Sequence, residues 1–441
     1  MPANNQPLIR YHVQPGGKLT GCFRVPGDKS ISHRSIILGS IAEGVTKVSG
    51  FLEGEDALAT LQAFRDMGVQ IERPDASMVI INGVGLRGLQ SPQKSLDVGN
   101  SGTAMRLLAG LMAGQPFATT LTGDRSLKKR PMNRVADPLR EMGITVEAEE
   151  GGKPPVTVYG GKPKAIAYSM PMASAQVKSC VLLAGLYAEG ETSVIEPAPT
   201  RDHTERMLRG FGYPVVTNGR QVSLMGGGKL NAMAVDVPAD ISSAAFFMVA
   251  ASIAPGSAIT LEHVGINPTR NGIIQILRLM GAAITLSNER EVGGEPVADI
   301  QVVYAPLKGI EIPKELVPLA IDEFPAIFIA AACAEGTTVL TGAEELRVKE
   351  SDRIQVMADG LQTLGIRAEP TVDGIVIEGG RLIGGTVETH DDHRIAMSFT
   401  VAALRASEPI IINNCGHVAT SFPGFVALAQ QSGIKVEQRI I

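Results

Sequence analysis

Two short stretches carry residue types that could move protons around an anionic substrate. In RVKESDR, Lys349, Glu350 and Arg353 are predicted to fall within one or two helical turns, which puts a carboxylate able to give or take a proton beside two cations. Asp322 in AIDEFPA is a second carboxylate, at the start of an otherwise apolar helix, where alone it reads as an N-cap. Held together near fixed cations, the two make an acid/base pair. More cations fall in or beside predicted helix starts: Lys29, Arg34, Arg106, Lys128, Lys129, Arg130, Arg134, Arg201 and Arg394. A helix N-terminus carries about half a positive charge and favours anions. Cations gathered there are unfavourable unless a bound anion lies between them. Singly, each is an ordinary snorkelling side chain near a routine cap. Their recurrence at equivalent places points to a cleft for a ligand with at least two anionic groups.

Other motifs point nowhere. GVGLRG (Gly83 to Gly88) matches a dinucleotide fingerprint after a strand-like run, but Pro92 follows where the helix should open, so a hairpin turn is expected. No G-x-x-x-x-G-K-[ST] is present. His393, with His390, Asp391 and Asp392 nearby, lacks the spaced partners of a metal site. No metal is expected.

The elements that must position these residues repeat. A polar loop, an apolar helix, a small-residue turn and a β-branched strand recur from near Pro26, Gly99, Pro171, Pro238, Leu319 and His390, a period of roughly 70 residues. A second helix in each copy ends in a Gly before another strand, as in RDMGVQIE, REMGITVE, RGFGYPVV, RLMGAAIT, QTLGIRAE and QQSGIKVE, where a helix C-cap belongs. Each copy reads strand, helix, strand, helix, strand, strand, and the all-round apolar first helix is predicted to lie buried between sheets. At 441 residues the chain exceeds one core. Six copies divide as three plus three at Pro26-Gly27 and Pro238-Ala239. One domain is expected from about 25 to 239, and a second from about 1 to 24 with about 240 to 441, with hinges near 25–27 and 237–241.

Composition narrows the class. A formal net charge of −5 argues against a nucleic-acid partner, and the most apolar run, Ala244 to Ala254, is too short to span a bilayer. Cys22, Cys180, Cys333 and Cys415 lie far apart with no C-x-x-C, so reduced thiols are expected. The N-terminus lacks a secretory pattern. A soluble, cytoplasmic monomer with no membrane partner is expected.

PGDKSISHR, GNSGTAMR, KKRPM, SAQVKS, RVKESDR and DHRIAMSF, in this order, make nearly the whole chain resemble the enolpyruvylshikimate-phosphate synthases; SAQVKS, TRDHTERML and ATSFP are similar to the subgroup called class II. The resemblance implies an α/β (α+β) enolpyruvyl transferase fold, an inside-out barrel of two domains, each of three βαβαββ units, facing each other across a cleft. It implies transfer of the enolpyruvyl group of phosphoenolpyruvate to the 5-hydroxyl of shikimate 3-phosphate, in aromatic amino acid biosynthesis, without cofactor or metal. Lys29 would contact both substrates, and Ser30 and Arg34 would bind shikimate 3-phosphate. Ser174 and Ala175 would hold the 3-phosphate, Ala175 through its backbone, with Arg201 as a second phosphate-side arginine. Gln176 would pack on the shikimate ring and border the phosphoenolpyruvate site. Arg130, Arg353 and Arg394 would hold phosphoenolpyruvate, and Gly102 would line its pocket, which glyphosate occupies in sensitive members. Asp322 and Lys349 would reach the shikimate hydroxyls, and Glu350 would face the enol methylene.

Two departures stand out: Thr420 in ATSFP replaces a lysine of many relatives, and Leu107 replaces a proline. The implied chemistry is attack of the 5-hydroxyl on C2 with protonation of C3, then expulsion of phosphate from the tetrahedral intermediate. Asp322 is the candidate base and Glu350 the candidate acid. Two alternatives are a transferase acting on UDP-N-acetylglucosamine, whose reactive loop cysteine is missing from KKRPMNR, and a non-catalytic anion-binding protein on the same repeats.

Overall fold

The computed structural model describes residues 8–441. They divide into two compact units: an N-terminal unit, Gly27–Pro238 with the short segment Glu291–Glu295, and a C-terminal unit made of the chain up to Pro26, Ala239–Arg290 and Pro296–Ile441. Helices α1 (Lys29–Ile41), α2 (Glu55–Asp66), α3 (Gly102–Ala113), α4 (Asn133–Glu141), α5 (Ala175–Gly185) and α6 (His203–Gly210) belong to the first. Helices α7 (Ile241–Ile253), α8 (Gly272–Leu279), α9 (Phe324–Ala332), α10 (Arg353–Thr363), α11 (His393–Ala402) and α12 (Phe425–Ser432) belong to the second.

Each unit holds three small sheets, four-stranded and mixed except for one in the C-terminal unit, where Thr337–Leu340, Ile375–Glu378 and Arg367–Pro370 make three antiparallel strands. In the second of the N-terminal unit, Leu96–Asp97 leads through α3 to a parallel neighbour, Ala118–Thr122, and α4 leads on to the antiparallel pair Thr145–Glu149 and Lys153–Tyr159. The first sheet takes its parallel edge from the far end of the unit, where Ala234–Asp236 pairs with Glu43–Ser49. In the C-terminal unit Thr20–Phe23 supplies that edge beside Ala258–Gly265. Ile9–Val13 lies inside the last sheet, antiparallel to both Ile410–Asn413 and Val436–Ile440. GVGLRG makes no hairpin: Val79–Val84 ends in a turn, and the chain leaves for the edge strand of the next sheet. Its Gly88 is packed so closely that a Cβ would sit 2.0 Å from the Val84 carbonyl oxygen.

The odd-numbered helices are buried as predicted. Every residue of α7 and of α9 is buried, and α7, α9 and α11 pack on one another. The even-numbered helices share one closure. The glycine just past each, at 68, 143, 212, 281, 365 and 433, has a φ between 79° and 120°, the left-handed region that only Gly enters without cost. In the turn after it, a side chain three residues before the glycine reaches across to a strand carbonyl: Arg65 to Ile71, Arg140 to Val146, Arg209 to Val215, Arg278 to Ile284, Gln362 to Ala368 and Gln430 to Val436. The motif thus satisfies a carbonyl at the helix-to-strand corner six times over. Among the described residues no helix is long and apolar enough to cross a membrane.

Phe247 on α7 is the hub of an aromatic cluster, with ring centroids 5.2 Å from Phe23, 6.1 Å from Phe422 and 6.3 Å from Phe425. Phe247→Ala is expected to cost about 3–5 kcal/mol, read by urea denaturation. A loss under about 1 kcal/mol would show that the cluster collapses onto the gap and contributes little.

Candidate functional site

In the N-terminal unit the candidate residues stand at the starts of the buried helices. Asp28 caps α1 by accepting the Ile31 N–H at 2.9 Å, and Ser101 caps α3 through the Ala104 N–H at 3.0 Å. Ser174 caps α5, accepting from the Val177 N–H. Lys29, Gly102 and Ala175 are therefore the first helical residues of α1, α3 and α5, where backbone N–H groups lack helical partners and favour an anion. Lys29 ion-pairs with the buried Asp56.

Arg34 is only 3% exposed. It donates to the Thr204 hydroxyl at 2.6 Å, the Ser179 hydroxyl at 2.8 Å and the Ser30 carbonyl at 3.0 Å. Burial among these neutral acceptors pulls its pKa down to about 10, against the opposing charge of Glu205. His33 is buried between α1 and its neighbours, 2.8 Å from the Thr60 hydroxyl and 3.4 Å from that of Ser101. Burial, aided by the charges of Lys29 and Arg34, holds its pKa well below the ordinary value.

Around Gly102 the predicted residues meet. A Cβ there would lie 3.3 Å from an Arg106 guanidinium nitrogen and 3.4 Å from one of Arg130. Arg106 donates to the Gln176 side-chain oxygen, and the Gln176 amide donates to Thr103 at 2.9 Å. Arg130 donates to Asn100 at 2.7 Å, which is steadied in turn by Asp124 at 2.6 Å. Two guanidiniums and an amide thus flank a bare backbone at a helix start. Arg201 lies just before α6, in the loop ending at Asp202.

In the C-terminal unit the site is built around Arg353, whose side chain is 1% exposed. It donates to Asp392 at 2.8 Å and Glu350 at 2.6 Å, and lies 3.5 Å from Asp322. Burial alone would depress its pKa, but the charges of Asp392, Glu350 and Asp322 outweigh that and raise it. Lys349 sits 2.9 Å from Glu345 and 3.4 Å from Asp322.

Local structure here departs from expectation. Lys349 is not helical: a short 3-10 turn, Glu344–Val348, precedes it, and α10 begins only at Arg353 with Asp352 as its cap. Asp322 is not an N-cap either. It lies in a turn two residues before α9, where Glu323 holds the cap position, and its carboxylate faces Lys349 and Arg353 instead. The carboxylates and cations still meet, because a bend brings side chains together as well as a helix does.

Arg394, the second residue of α11, makes no side-chain hydrogen bond or ion pair among the described residues. Thr420 is buried and donates to the His417 carbonyl at 2.7 Å. Sequence reasoning missed Asp56 and Glu345, and weighed Asp392 only beside a metal site, not as the partner of Arg353. Asp392 is fully buried and caps α11 through the Arg394 N–H at 2.9 Å, and an Asp just before a predicted helix start was the signal for it. Among the described residues no group of three or more His, Cys, Asp or Glu side chains is placed to hold a metal ion. The N-terminal unit can therefore bind anions, and the C-terminal unit offers carboxylates for proton transfer beside fixed cations.

Residues 13–428 match the family model described as EPSP synthase (3-phosphoshikimate 1-carboxyvinyltransferase). A 3-phosphoshikimate 1-carboxyvinyltransferase of Methylococcus capsulatus is 66% identical over 430 residues, spanning 97% of this chain and 98% of that protein. Among solved structures, an EPSP synthase from Acinetobacter baumannii is 61% identical with a TM-score of 0.89, covering 98% of this chain and all of that one. An enolpyruvyl transferase from Streptomyces tendae, 15% identical with a TM-score of 0.79 over 99% of this chain and 100% of that one, shares the fold.

The buried His33 gives an acid-stability prediction. Its folded pKa is depressed, so below about 6.5 the unfolded chain binds a proton that the folded chain does not. Its contribution is complete above about pH 6.5 and is lost as pH falls from there toward the folded value. His33→Gln is expected to flatten the fall in unfolding free energy between about pH 7 and 5. Parallel pH profiles for variant and parent would show that His33 does not carry it.

Proposed function

The chain belongs to the EPSP synthase family, the 3-phosphoshikimate 1-carboxyvinyltransferases, and from that premise we propose how its residues divide the reaction. It is an enolpyruvyl transferase, carrying the enolpyruvyl group of phosphoenolpyruvate to the 5-hydroxyl of shikimate 3-phosphate and releasing phosphate. The alternatives, a UDP-N-acetylglucosamine-type transferase and a non-catalytic anion binder, give way to the family match and the 66% identity.

The observation that carries the assignment of roles is the Arg353 cluster, in which Asp322 and Glu350 flank one buried guanidinium and Lys349 pairs with Asp322. Asp322 takes the proton of the 5-hydroxyl as it attacks C2. Glu350 gives a proton to C3, which becomes a methyl, and then takes one back from that methyl as the C2–O bond to phosphate breaks and the C2=C3 double bond re-forms, while the proton held by Asp322 leaves with the phosphate. In the free chain Glu350 is bonded to Arg353, so an incoming phosphoenolpyruvate anion competes with it for that guanidinium and leaves the carboxylate free to take up the proton it must deliver. Arg353, Arg130 and Arg394 hold phosphoenolpyruvate, with Gly102 and Gln176 beside it. Lys29, Ser30, Arg34, Ser174, the Ala175 backbone, Gln176 and Arg201 hold shikimate 3-phosphate, and Lys29 serves both substrates. Preorganised cations supply the charge stabilisation without a metal.

The working unit in this reading is a monomer. The unpaired thiols of Cys22, Cys180, Cys333 and Cys415 suit the reducing cytoplasm.

Glu350→Gln and Asp322→Asn are each expected to lower turnover by about 100-fold or more with the circular dichroism unchanged. A folded variant releasing phosphate at near the parent rate refutes the role given to that residue. Gly102→Ala places a methyl 3.3 Å from Arg106 and 3.4 Å from Arg130, a crowding worth about 1–3 kcal/mol. It is expected to weaken glyphosate, the longer ligand, more than phosphoenolpyruvate. If glyphosate competes with phosphoenolpyruvate in the parent and the ratio of its inhibition constant to the Michaelis constant is unmoved in the variant, Gly102 does not line the shared pocket.

A further inference from the structure

Behind the phosphate-side residues lies a buried charge cluster with no part in the assignment so far. Lys178, one turn into α5, has a side chain 1% exposed. Its ammonium lies 3.0 Å from Glu196 and 2.6 Å from Glu205, and donates to the Thr200 carbonyl at 3.4 Å. An ammonium has three donors, and all three point at one stretch of chain. Glu196 opens the loop that follows the strand Glu191–Ile195, Thr200 adjoins Arg201, and Glu205 sits in the first turn of α6. Glu196 also accepts the Thr200 hydroxyl, which ties the loop to itself. Next door, Ser179 and Thr204 bond to each other at 2.7 Å and both receive Arg34.

Burying an ammonium and two carboxylates is costly, and apolar side chains of similar size would serve stability at least as well. What the ions add is placement. Ser174, Ala175 and Gln176 lie on the first turn of α5, and Arg201 lies in the loop that Lys178 grips, so one buried cation joins the two carriers of phosphate-side groups.

We infer that Lys178 is a positioning residue for the 3-phosphate of the substrate, locking the Glu196–Glu205 loop to α5 so that Arg201 is held ready for the anion. The inference rests on the role given above to Arg201.

The test is a double-mutant cycle on the full-length chain, with shikimate 3-phosphate binding measured by calorimetry. Lys178→Met combined with Glu205→Gln removes one charge of each sign, and is expected to weaken shikimate 3-phosphate by about tenfold. Its KM for phosphoenolpyruvate should move less than about twofold, because Arg201 does not serve that substrate. On an Arg201→Ala background the same pair should cost little more, since neighbours acting through one group are not additive. Additive losses, or parent-like affinity in the folded pair, overturn the inference and leave the role of Arg201 standing. An Arg201→Ala variant that binds like the parent overturns both. Should the pair fail to fold, Glu196→Gln, which keeps shape and loses one charge, decides by the same cycle, with a loss that vanishes on the Arg201→Ala background supporting the inference and no loss overturning it.

Discussion

A helix that is apolar on every side can meet water only at its ends. That constraint governs this protein. Burying all of α7 and α9, and nearly all of α1, α3, α5 and α11, uses their flanks for packing, so the candidate chemistry gathers at the first two turns and the loop before them. The candidate residues accordingly fall on a few equivalent positions: a capping Asp or Ser, then a Lys, Gly or Ala as the first helical residue. At α7 the same position is closed from within, because Arg270 reaches Asp240 at 3.1 Å and Ser242 at 2.7 Å, and Ser242 donates to Glu323. One repeat end therefore seals itself with its own ions while others keep theirs for a ligand.

The two units solve opposite electrostatic problems. Arg34 is buried among hydroxyls and a carbonyl, and burial pulls its pKa down to about 10 although the charge of Glu205 opposes it. Arg353 is equally buried but already carries three carboxylates. A guanidinium so satisfied is a scaffold as much as a ligand: its fork fixes where Glu350 and Asp322 point, and only an anion can loosen that grip.

What was legible in the sequence was what depends on neighbours in the chain. The repeats, the buried helices and the C-terminal glycines announce themselves through periodicity and local backbone need, and the structure returns all six glycines with positive φ. The brace from Arg65, Arg140, Arg209, Arg278, Gln362 and Gln430 went unread, although the same offset recurs in every copy, because its acceptor is a carbonyl, and carbonyls leave no letter in a sequence. The ion pair of Lys349 with Asp322 is found in another conformation than expected, since charge pattern survives a change from helix to bend. Lys178 was missed and Asp392 misread because their meaning lies in partners from other elements, and a buried polar residue looks the same in sequence as an exposed one.

The strand Ile9–Val13 has a consequence for how the molecule is made. Tyr11 lies opposite Ile412 and Val13 opposite Val436, so in synthesis this strand leaves the ribosome long before either of its neighbours. The stretch Gly27–Pro238 can assemble its three sheets from strands of its own while synthesis continues. Ile9–Val13 cannot: it waits with both edges unpaired until Ile410–Asn413 and Val436–Ile440 have been made, and an unpaired edge is a template for any passing chain. Its alternation of polar and apolar residues, Ile-Arg-Tyr-His-Val, tempers that hazard, since a cation on an exposed edge works against pairing with another chain.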